Sequence, residues 1–299
     1  MGEIRMRILY IGCVESSYTE LELLLKNKKN VVGIITKEKS KFNSDFTDLK
    51  PLGDEYQIPC RYAKNINDEE IVKFVQECQP DVIYCFGWSQ IIKKDILDIP
   101  PLGVIGTHPT ELPNNRGRHP IIWALALGLE RTAATFFAMD DGADTGDIVS
   151  QKPIEIDYTD DARSLYDKIT KSECEQILEF TEQLEQGTNT RIKQDKKIGN
   201  SWRKRGEADG VIDWRMSSRA IYNLVRALTH PYIGAYFLYG EKKIQVWKVE
   251  EIEGTGYQNI EPGKVIKYVN SSDFYVKAYD NIIHVLDSEE FQGNEGDYL

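Results

Sequence analysis

The chain has 299 residues, 41% of them hydrophobic and 28% charged, with a formal net charge of −11. That length favours two domains, and the acidic balance disfavours a polyanionic partner unless a local basic patch overrides it. No run of eighteen apolar residues occurs, and the start, MGEIRMRILYIG, lacks a secretory h-region, so a cytoplasmic protein without a membrane span is expected.

In chain order, RILYIG (Arg7 to Gly12) reads as a buried strand, YTELELLLK as a helix and VVGIIT as a second strand. Met6 directly precedes the first strand, so the few leading residues are expected to be dispensable. After a polar stretch from Lys37 to Asp54 and a short YQIPCRYA comes DEEIVKFVQECQP, a helix with acids in its first turn and Pro80 beyond its end. DVIYCFG and VIGTH are further strands, and IIWALALGLE is a helix. Strands alternating with helices imply a parallel α/β sheet, with ligands outside the carboxyl ends of its strands. His108 stands at such an end.

FFAMDDGADTGDIVSQ reads as a strand running into an Asp- and Gly-rich turn, and Ala162 to Gly187 as a long amphipathic helix. The polar, basic, glycine-punctuated NTRIKQDKKIGNSWRKRGEADG has the signature of a linker. Beyond it lie a helix, SSRAIYNLVRAL, and five short strand-like runs at close spacing, as in a small barrel. The expected division is therefore 1–202 for an α/β domain and 203–299 for a small β-rich one.

No G-x-G-x-x-G follows the first strand, which disfavours a Rossmann-bound nicotinamide or flavin. Cys13, Cys60, Cys78, Cys85 and Cys174 are odd in number and widely spaced, the pattern of reduced thiols rather than of disulfides or structural zinc. Four scattered histidines suggest no metal cluster either. Two of them, His108 and His119, sit in GVIGTHPTELPNNRGRHP, away from any apolar helical face. A turn rich in Asp and Gly is ordinary on backbone grounds. A histidine at one strand end and an aspartate in a glycine turn at another can, however, meet across the sheet, where the carboxylate orients the imidazole for acid/base work.

THPTELPNNRGRHPI followed by MDDGADTGDIV resembles the folate-dependent formyltransferases, whose pattern is Asn-x-His-x-Ser-x-Leu-Pro-x-x-Arg-Gly, a helix, then Met-x-x-x-x-Asp-x-Gly. SWRKRGEADGVIDW and LVRALTHPYIGAYF extend the resemblance to the second domain of the methionyl-tRNA and sugar-nucleotide branches. The resemblance implies an α/β fold with a Rossmann-like parallel-sheet formyltransferase domain followed by an OB-like C-terminal domain. The implied reaction transfers the formyl group of N10-formyltetrahydrofolate to a primary amine, without a metal. His108 matches the catalytic histidine and Asp144 the carboxylate that holds it. The folate loops correspond to Gln90, Ile91 and Ile92 and to Asp140, Asp141, Gly142 and Ala143 beside Asp144.

The match departs at one place: the asparagine expected two residues before the histidine is Gly106. Residues i and i+2 of a strand share a face, and losing one oxyanion donor typically costs on the order of 10²–10³ in kcat. His119, a water or a backbone N–H is the expected substitute; His119 capping the next helix is the alternative. Arg116 matches the general arginine of the resemblance and Arg118 the arginine of its sugar-nucleotide members. A guanidinium fork suits the phosphates of a nucleotide diphosphate.

From Ser201 onward acids and bases are roughly balanced, with only WRKR as a cluster. That cluster reads as a solvated linker rather than a tRNA cradle. An amino-deoxy sugar nucleotide destined for surface glycans is thus the expected substrate, with methionyl-tRNA as the alternative and an inactive binding module as a third reading. Nucleic acid and membrane are not expected partners. The resemblance is compatible with a homodimer, and no feature of the sequence demands one.

Overall fold

The computed structural model describes residues 5–40 and 44–299. The first four residues, and 41–43 within the polar stretch Lys37 to Asp54, lie outside the described residues. The chain forms two compact units: Met1–Gly117, Ala133–Ile154 and Lys168–Ser201 in one, and Arg118–Thr132, Glu155–Asp167 and Trp202–Leu299 in the other.

In the first unit the apolar runs form β1 (Ile8–Ile11), β2 (Val31–Thr36), β3 (Cys60–Tyr62), β4 (Val82–Cys85) and β5 (Val104–His108). After the short β6 (Arg116–Gly117) come β7 (Arg131–Ala138) and β8 (Ile148–Glu155). Sheet order is β3-β2-β1-β4-β5-β7-β8. The first five strands of that order are parallel, as expected, but β7 runs antiparallel to β5. Apolar periodicity reports which faces are buried and carries no strand direction.

Successive side chains divide between two apolar layers. Ile8 and Tyr10 pack with Leu21 and Leu24 of α1 (Glu15–Lys26) and with Ile177 and Phe180 of α6 (Ala162–Gln186). Leu9 and Ile11 pack with Ile71 and Phe74 of α3 (Glu69–Cys78) and Ile96 of α4 (Lys94–Leu97). Both faces of the sheet are covered, so the strands read as continuous apolar runs. Each fully buried Ile or Leu contributes about 1.5–3 kcal/mol. Helix α3 stops where Gln79 turns left-handed, at φ 44°, just before Pro80. The polar stretch holds one further helix, α2 (Lys50–Glu55).

The same alternation sorts the end of β5. Thr107 faces α6, where its Oγ1 donates to Glu173 Oε1 at 2.6 Å. Gly106 and His108 face the other way, paired across the ladder with Phe137 and Thr135.

In the second unit α5 (Pro120–Ala126) packs on α7 (Ser218–Leu228), and α7 on a five-stranded antiparallel sheet. After β9 (Ser201–Trp202), where the chain enters this unit, the strands are β10 (Ala235–Tyr239), β11 (Lys242–Ile252), β12 (Val265–Asn270), β13 (Asp273–Lys277) and β14 (Ile282–Ser288). Their order, β10-β11-β14-β13-β12, places the last strand between β11 and β13. Phe237, Phe274 and Phe291 form its aromatic centre, with Phe274 and Phe291 ring centroids 4.9 Å apart. Among the described residues no helix is long and apolar enough to cross a membrane.

Candidate active site

His108 ends β5 and is only 5% exposed. Its Nε2 lies 2.9 Å from the carbonyl oxygen of Asn115. A carbonyl can only accept, so Nε2 carries a hydrogen. The other ring nitrogen, Nδ1, faces Asp144 Oδ2 at 3.8 Å. Pro109 follows at once, and the chain is folded tightly back: Thr110 N donates to His108 O at 2.8 Å, and Thr135 Oγ1 donates to Thr110 O at 2.6 Å. The loop therefore fixes the His108 backbone and, through the Asn115 carbonyl, one nitrogen of its ring.

Asp144 adopts a left-handed φ of 57° in the turn after β7. Its Oδ2 accepts the Gly117 N–H at 2.9 Å, which fixes the carboxylate beside the histidine. The turn closes over itself at Gly146, where any Cβ would collide with the Ala138 carbonyl. Asp140 is engaged in building that turn. Its Oδ1 accepts from Gly142 N and Thr145 Oγ1 at 2.9 and 2.6 Å, and Oδ2 pairs with Lys196 at 2.7 Å. Partial burial pushes the Asp140 carboxyl up, but Lys196, Thr145 and Gly142 outweigh it and hold it below the ordinary carboxylate range. Asp141, Gly142 and Ala143 form the exposed crest of the turn.

Arg116 does something different from the phosphate recognition expected of it. It is 6% exposed; Nη2 and Nε donate to Gln194 Oε1 at 2.9 and 3.3 Å, and Nη1 donates to Ile198 O at 3.2 Å. Gln194 in turn donates through Nε2 to the carbonyls of Asp144 and Gly146, at 3.0 and 2.7 Å. Arg116 thus anchors 194–198 behind the turn that carries Asp144, and its donors are directed inward.

The composition of this stretch predicts a linker, yet Ile192 bridges to Ile148 and Asn200 Oδ1 accepts the Asn115 N–H at 3.0 Å. Gln194, Asn200 and Asn115 are site residues the sequence reading missed. The available signal was Gly199, at φ 88°, which lies against the Pro113 carbonyl where no side chain would fit.

Gly106 lies level with Cys85, the last residue of β4. A Cβ placed there would meet Met139 Cγ at 3.2 Å and Met139 Sδ and Phe137 Cζ at 3.3 Å. An apolar thioether and a ring edge, rather than a polar group, close this volume.

The loop after β4 is braced by two amides. Gln90 donates through Nε2 to Lys64 O and accepts from Ile66 N, at 2.7 and 2.9 Å, and Asn67 Nδ2 donates to Ile91 O at 2.9 Å. The backbone N–H groups of Gln90, Ile91 and Ile92 have no partner among the described residues. Ile91 is 84% exposed while Ile92 is buried. A rigid loop with unspent backbone donors and an exposed apolar side chain fits a flat heteroaromatic ligand with a hydrogen-bonding edge.

Arg118 and His119 belong to the second unit. Arg118 is exposed. His119 stands at the N-cap of α5 with φ 55°, but its side chain makes no capping hydrogen bond, and its buried Nδ1 has no partner among the described residues. Burial, then Arg118, Arg205 and Lys204, depress its pKa, so the ring is held neutral. In the basic run after it Arg203 and Lys204 are exposed, as expected of a solvated linker, but the run also packs on α5. Trp123 Nε1 donates to Arg203 O at 2.9 Å, and the Arg203 and Arg205 guanidiniums lie 5.3 and 4.6 Å from the Trp123 ring centre.

All five cysteines are unpaired, and burial raises each thiol, Cys13 to about 11, so none is poised as a nucleophile. Among the described residues no group of three His, Cys, Asp or Glu is arranged to hold a metal. Behind β5, Glu173 and Glu20 are both fully buried. Burial pushes both carboxyls up, Glu173 to about 7.

Two family models match the chain: formyl transferase over residues 7–181 and formyl transferase, C-terminal domain, over 205–295. The methionyl-tRNA formyltransferase of Geotalea daltonii is 33% identical over 87% of this chain and 83% of its own length. The bifunctional polymyxin resistance protein ArnA of Wigglesworthia glossinidia brevipalpis is 31% identical over 88% of this chain, which spans 40% of that longer protein. In fold, an N-formyltransferase from Helicobacter canadensis, solved with folinic acid and dTDP-3-aminofucose, superposes with a TM-score of 0.71 at 16% identity, over 94% of this chain and 99% of that one. With both models matched and full-length relatives above 30% identity, the chain belongs to the formyl transferase family and is a formyl-transferring enzyme.

Proposed function

We propose that the enzyme transfers the formyl group of N10-formyltetrahydrofolate to the primary amine of an amino-deoxy sugar nucleotide in the cytoplasm, for surface-glycan synthesis. Residues 1–202 carry the chemistry in this reading and 203–299 form an accessory β-rich domain. The backbone of Gln90 to Ile92 reads the pterin edge, and the 140–143 turn borders the folate.

The observation that carries formyl transfer is the His108–Asp144 pair. Nε2 is committed to the Asn115 carbonyl, so Nδ1 is the nitrogen left to receive a proton. The amine nitrogen adds to the formyl carbon and the carbonyl oxygen becomes an oxyanion. The proton shed by the amine passes to His108 Nδ1, which faces the Asp144 carboxylate. When the intermediate collapses, the bond from carbon to N10 breaks and N10 takes up that proton.

The observation that favours a sugar nucleotide over tRNA is how the second unit uses its cations. Arg203 pairs with Asp209, Arg215 with Asp213, Arg219 with Glu251 and Lys243 with Glu207. Lys277 is 1% exposed and donates to three carbonyls. Phosphate-backbone binding needs a continuous field of unspent cations, and of these five, four are paired with carboxylates and the fifth is buried. Arg118 is the side chain assigned to the diphosphate. Methionyl-tRNA is the second reading, favoured by the sequence relatives that bear that name. The deciding experiment offers N10-formyltetrahydrofolate with a panel of amino-sugar nucleotides and methionyl-tRNA, scored by product mass. Formylated tRNA without a formylated sugar overturns the proposal, and ligand binding without any turnover points to an inactive module.

A further inference from the structure

We infer that the carboxamide of Asn115 is the side-chain donor that stabilises the oxyanion in this enzyme. The inference rests on the formyl-transfer chemistry above but not on the identity of the amine.

As the amine nitrogen bonds to the formyl carbon, a full negative charge develops on the former carbonyl oxygen, and a placed N–H donor is needed there. The donors around His108 can be accounted for one by one. The face of β5 that bears His108 offers nothing at position 106, where Met139 and Phe137 fill the space. Pro109 has no N–H. The N–H groups of Thr110, Asn115, Arg116 and Gly117 go to His108 O, Asn200 Oδ1, Asn200 O and Asp144 Oδ2. The hydroxyls of Thr107, Thr110 and Thr135 donate to Glu173, Asn114 O and Thr110 O. The amides of Gln151 and Gln194 are spent on Leu112 O and Thr135 Oγ1, and on the carbonyls of Asp144 and Gly146.

Of the side-chain amides left unspent here, those of Asn114 and Asn200 belong to exposed residues and that of Asn115 to a half-buried one; His119, whose Nδ1 also has no partner among the described residues, belongs to the other unit. The Asn115 backbone is held at both polar atoms, by Asn200 Oδ1 at 3.0 Å and by His108 Nε2 at 2.9 Å, whereas its side-chain amide has no partner among the described residues. The residue is half-buried, unlike its exposed neighbour Asn114. Its side chain leaves the backbone two bonds from the oxygen that caps the catalytic imidazole. It also sits at φ 62°, a left-handed conformation that Asn adopts more readily than most residues. A fixed backbone and an unspent amide next to the acid/base group is the preorganisation an oxyanion donor requires.

The test separates the amide from the backbone. Asn115→Gly keeps the left-handed backbone accessible and removes only the carboxamide. The wild type and Asn115→Gly are compared for tetrahydrofolate release from N10-formyltetrahydrofolate with three acceptors: dTDP-3-aminofucose, methionyl-tRNA and water. Expected is a fall in kcat of roughly 10²-fold with whichever acceptor turns over, with unchanged KM for the formyl donor, unchanged folinic acid affinity and unchanged Tm. Asn115→Asp, an isostere with no donor, is expected to fall at least as far. Wild-type kcat in Asn115→Gly overturns the inference, as does a loss that tracks Tm or folinic acid affinity. Release with methionyl-tRNA alone overturns the sugar reading and leaves the Asn115 comparison intact. Release with none of the three counts against the donor assignment, since no reaction would remain for it to serve.

Discussion

Met139 packs its Cγ and Sδ against the open face of Gly106, each within 3.3 Å of where a Cβ would stand. The two residues fill one volume, so a side chain gained at one requires space given up at the other. Gly106→Asn alone is expected to lower stability by about 1–3 kcal/mol, the usual cost of overpacking. In combination with Met139→Ala the two changes should be non-additive by about 1 kcal/mol or more in the stabilising direction, read from urea unfolding of all four proteins. Additive costs would mean that the new amide finds room elsewhere. Because Asn115 already supplies the donor, kcat of the double variant should stay within a few-fold of wild type.

Asp144 has two tasks that can be separated by substitution. As a hydrogen-bond acceptor it holds the Gly117 N–H; as a charge it faces His108 Nδ1. Asp144→Asn keeps an acceptor and loses the charge, so kcat should fall about 10²–10⁴-fold with little change in Tm. Asp144→Ala loses both and leaves an N–H unpaired, adding a stability loss of about 1–3 kcal/mol. Equal Tm for the two variants would contradict the positioning role.

The elements that frame the site were legible because each has a local cause. VVGIIT, between Asn30 and Lys37, and VIGTH, between Gly103 and Pro109, appear as β2 and β5 with the predicted limits. Acids in the first turn and a proline beyond the end marked α3. His108 and Asp144 were legible as a pair through the family resemblance, and His108 Nδ1 lies 3.8 Å from Asp144 Oδ2. The direction of β7 was not, because pleat alternation is the same in parallel and antiparallel ladders. Residues 191–200 were misread for a similar reason. Their order comes from partners far along the chain, Arg116, Ile148 and Asn115, and a polar stretch paired at long range looks like any loop. Arg116 and Arg118 look alike in NRGRHP, and only burial tells them apart.

That difference makes opposite predictions for the two arginines. Arg116→Lys cannot reproduce the fork to Gln194 and Ile198, so it should cost roughly 2–4 kcal/mol of stability and leave KM for the amine substrate near wild type. Arg118→Ala should leave Tm unchanged and raise KM for a nucleotide sugar by about 10–100-fold, the value of hydrogen bonds to a charged phosphate. Thermal melts and steady-state kinetics on both variants decide the matter. A KM effect confined to Arg116 would reverse the assignment.

The buried pair behind β5 sets a pH dependence of its own. Glu173 titrates at about 7 in the folded protein against an ordinary 4.5, chiefly through burial, with the Thr107 hydrogen bond pulling the other way. Between those values the fold binds a proton that the unfolded chain has released. The stabilising contribution is therefore complete below pH 4.5 and is lost as pH rises through 7. Glu20, also raised by burial and then by the Glu173 charge, acts in the same direction. His119 opposes it weakly, since a depressed imidazole favours the fold as pH rises towards the unfolded value. That contribution is common to wild type and Glu173→Gln, so their difference isolates the carboxyl. Wild type should lose about 1 kcal/mol more than Glu173→Gln between pH 6 and 8, or ~2–4 °C in Tm. Parallel Tm profiles for the two proteins across that interval would show that Glu173 is ionised throughout and that the Thr107 contact, which glutamine preserves, carries its whole structural role.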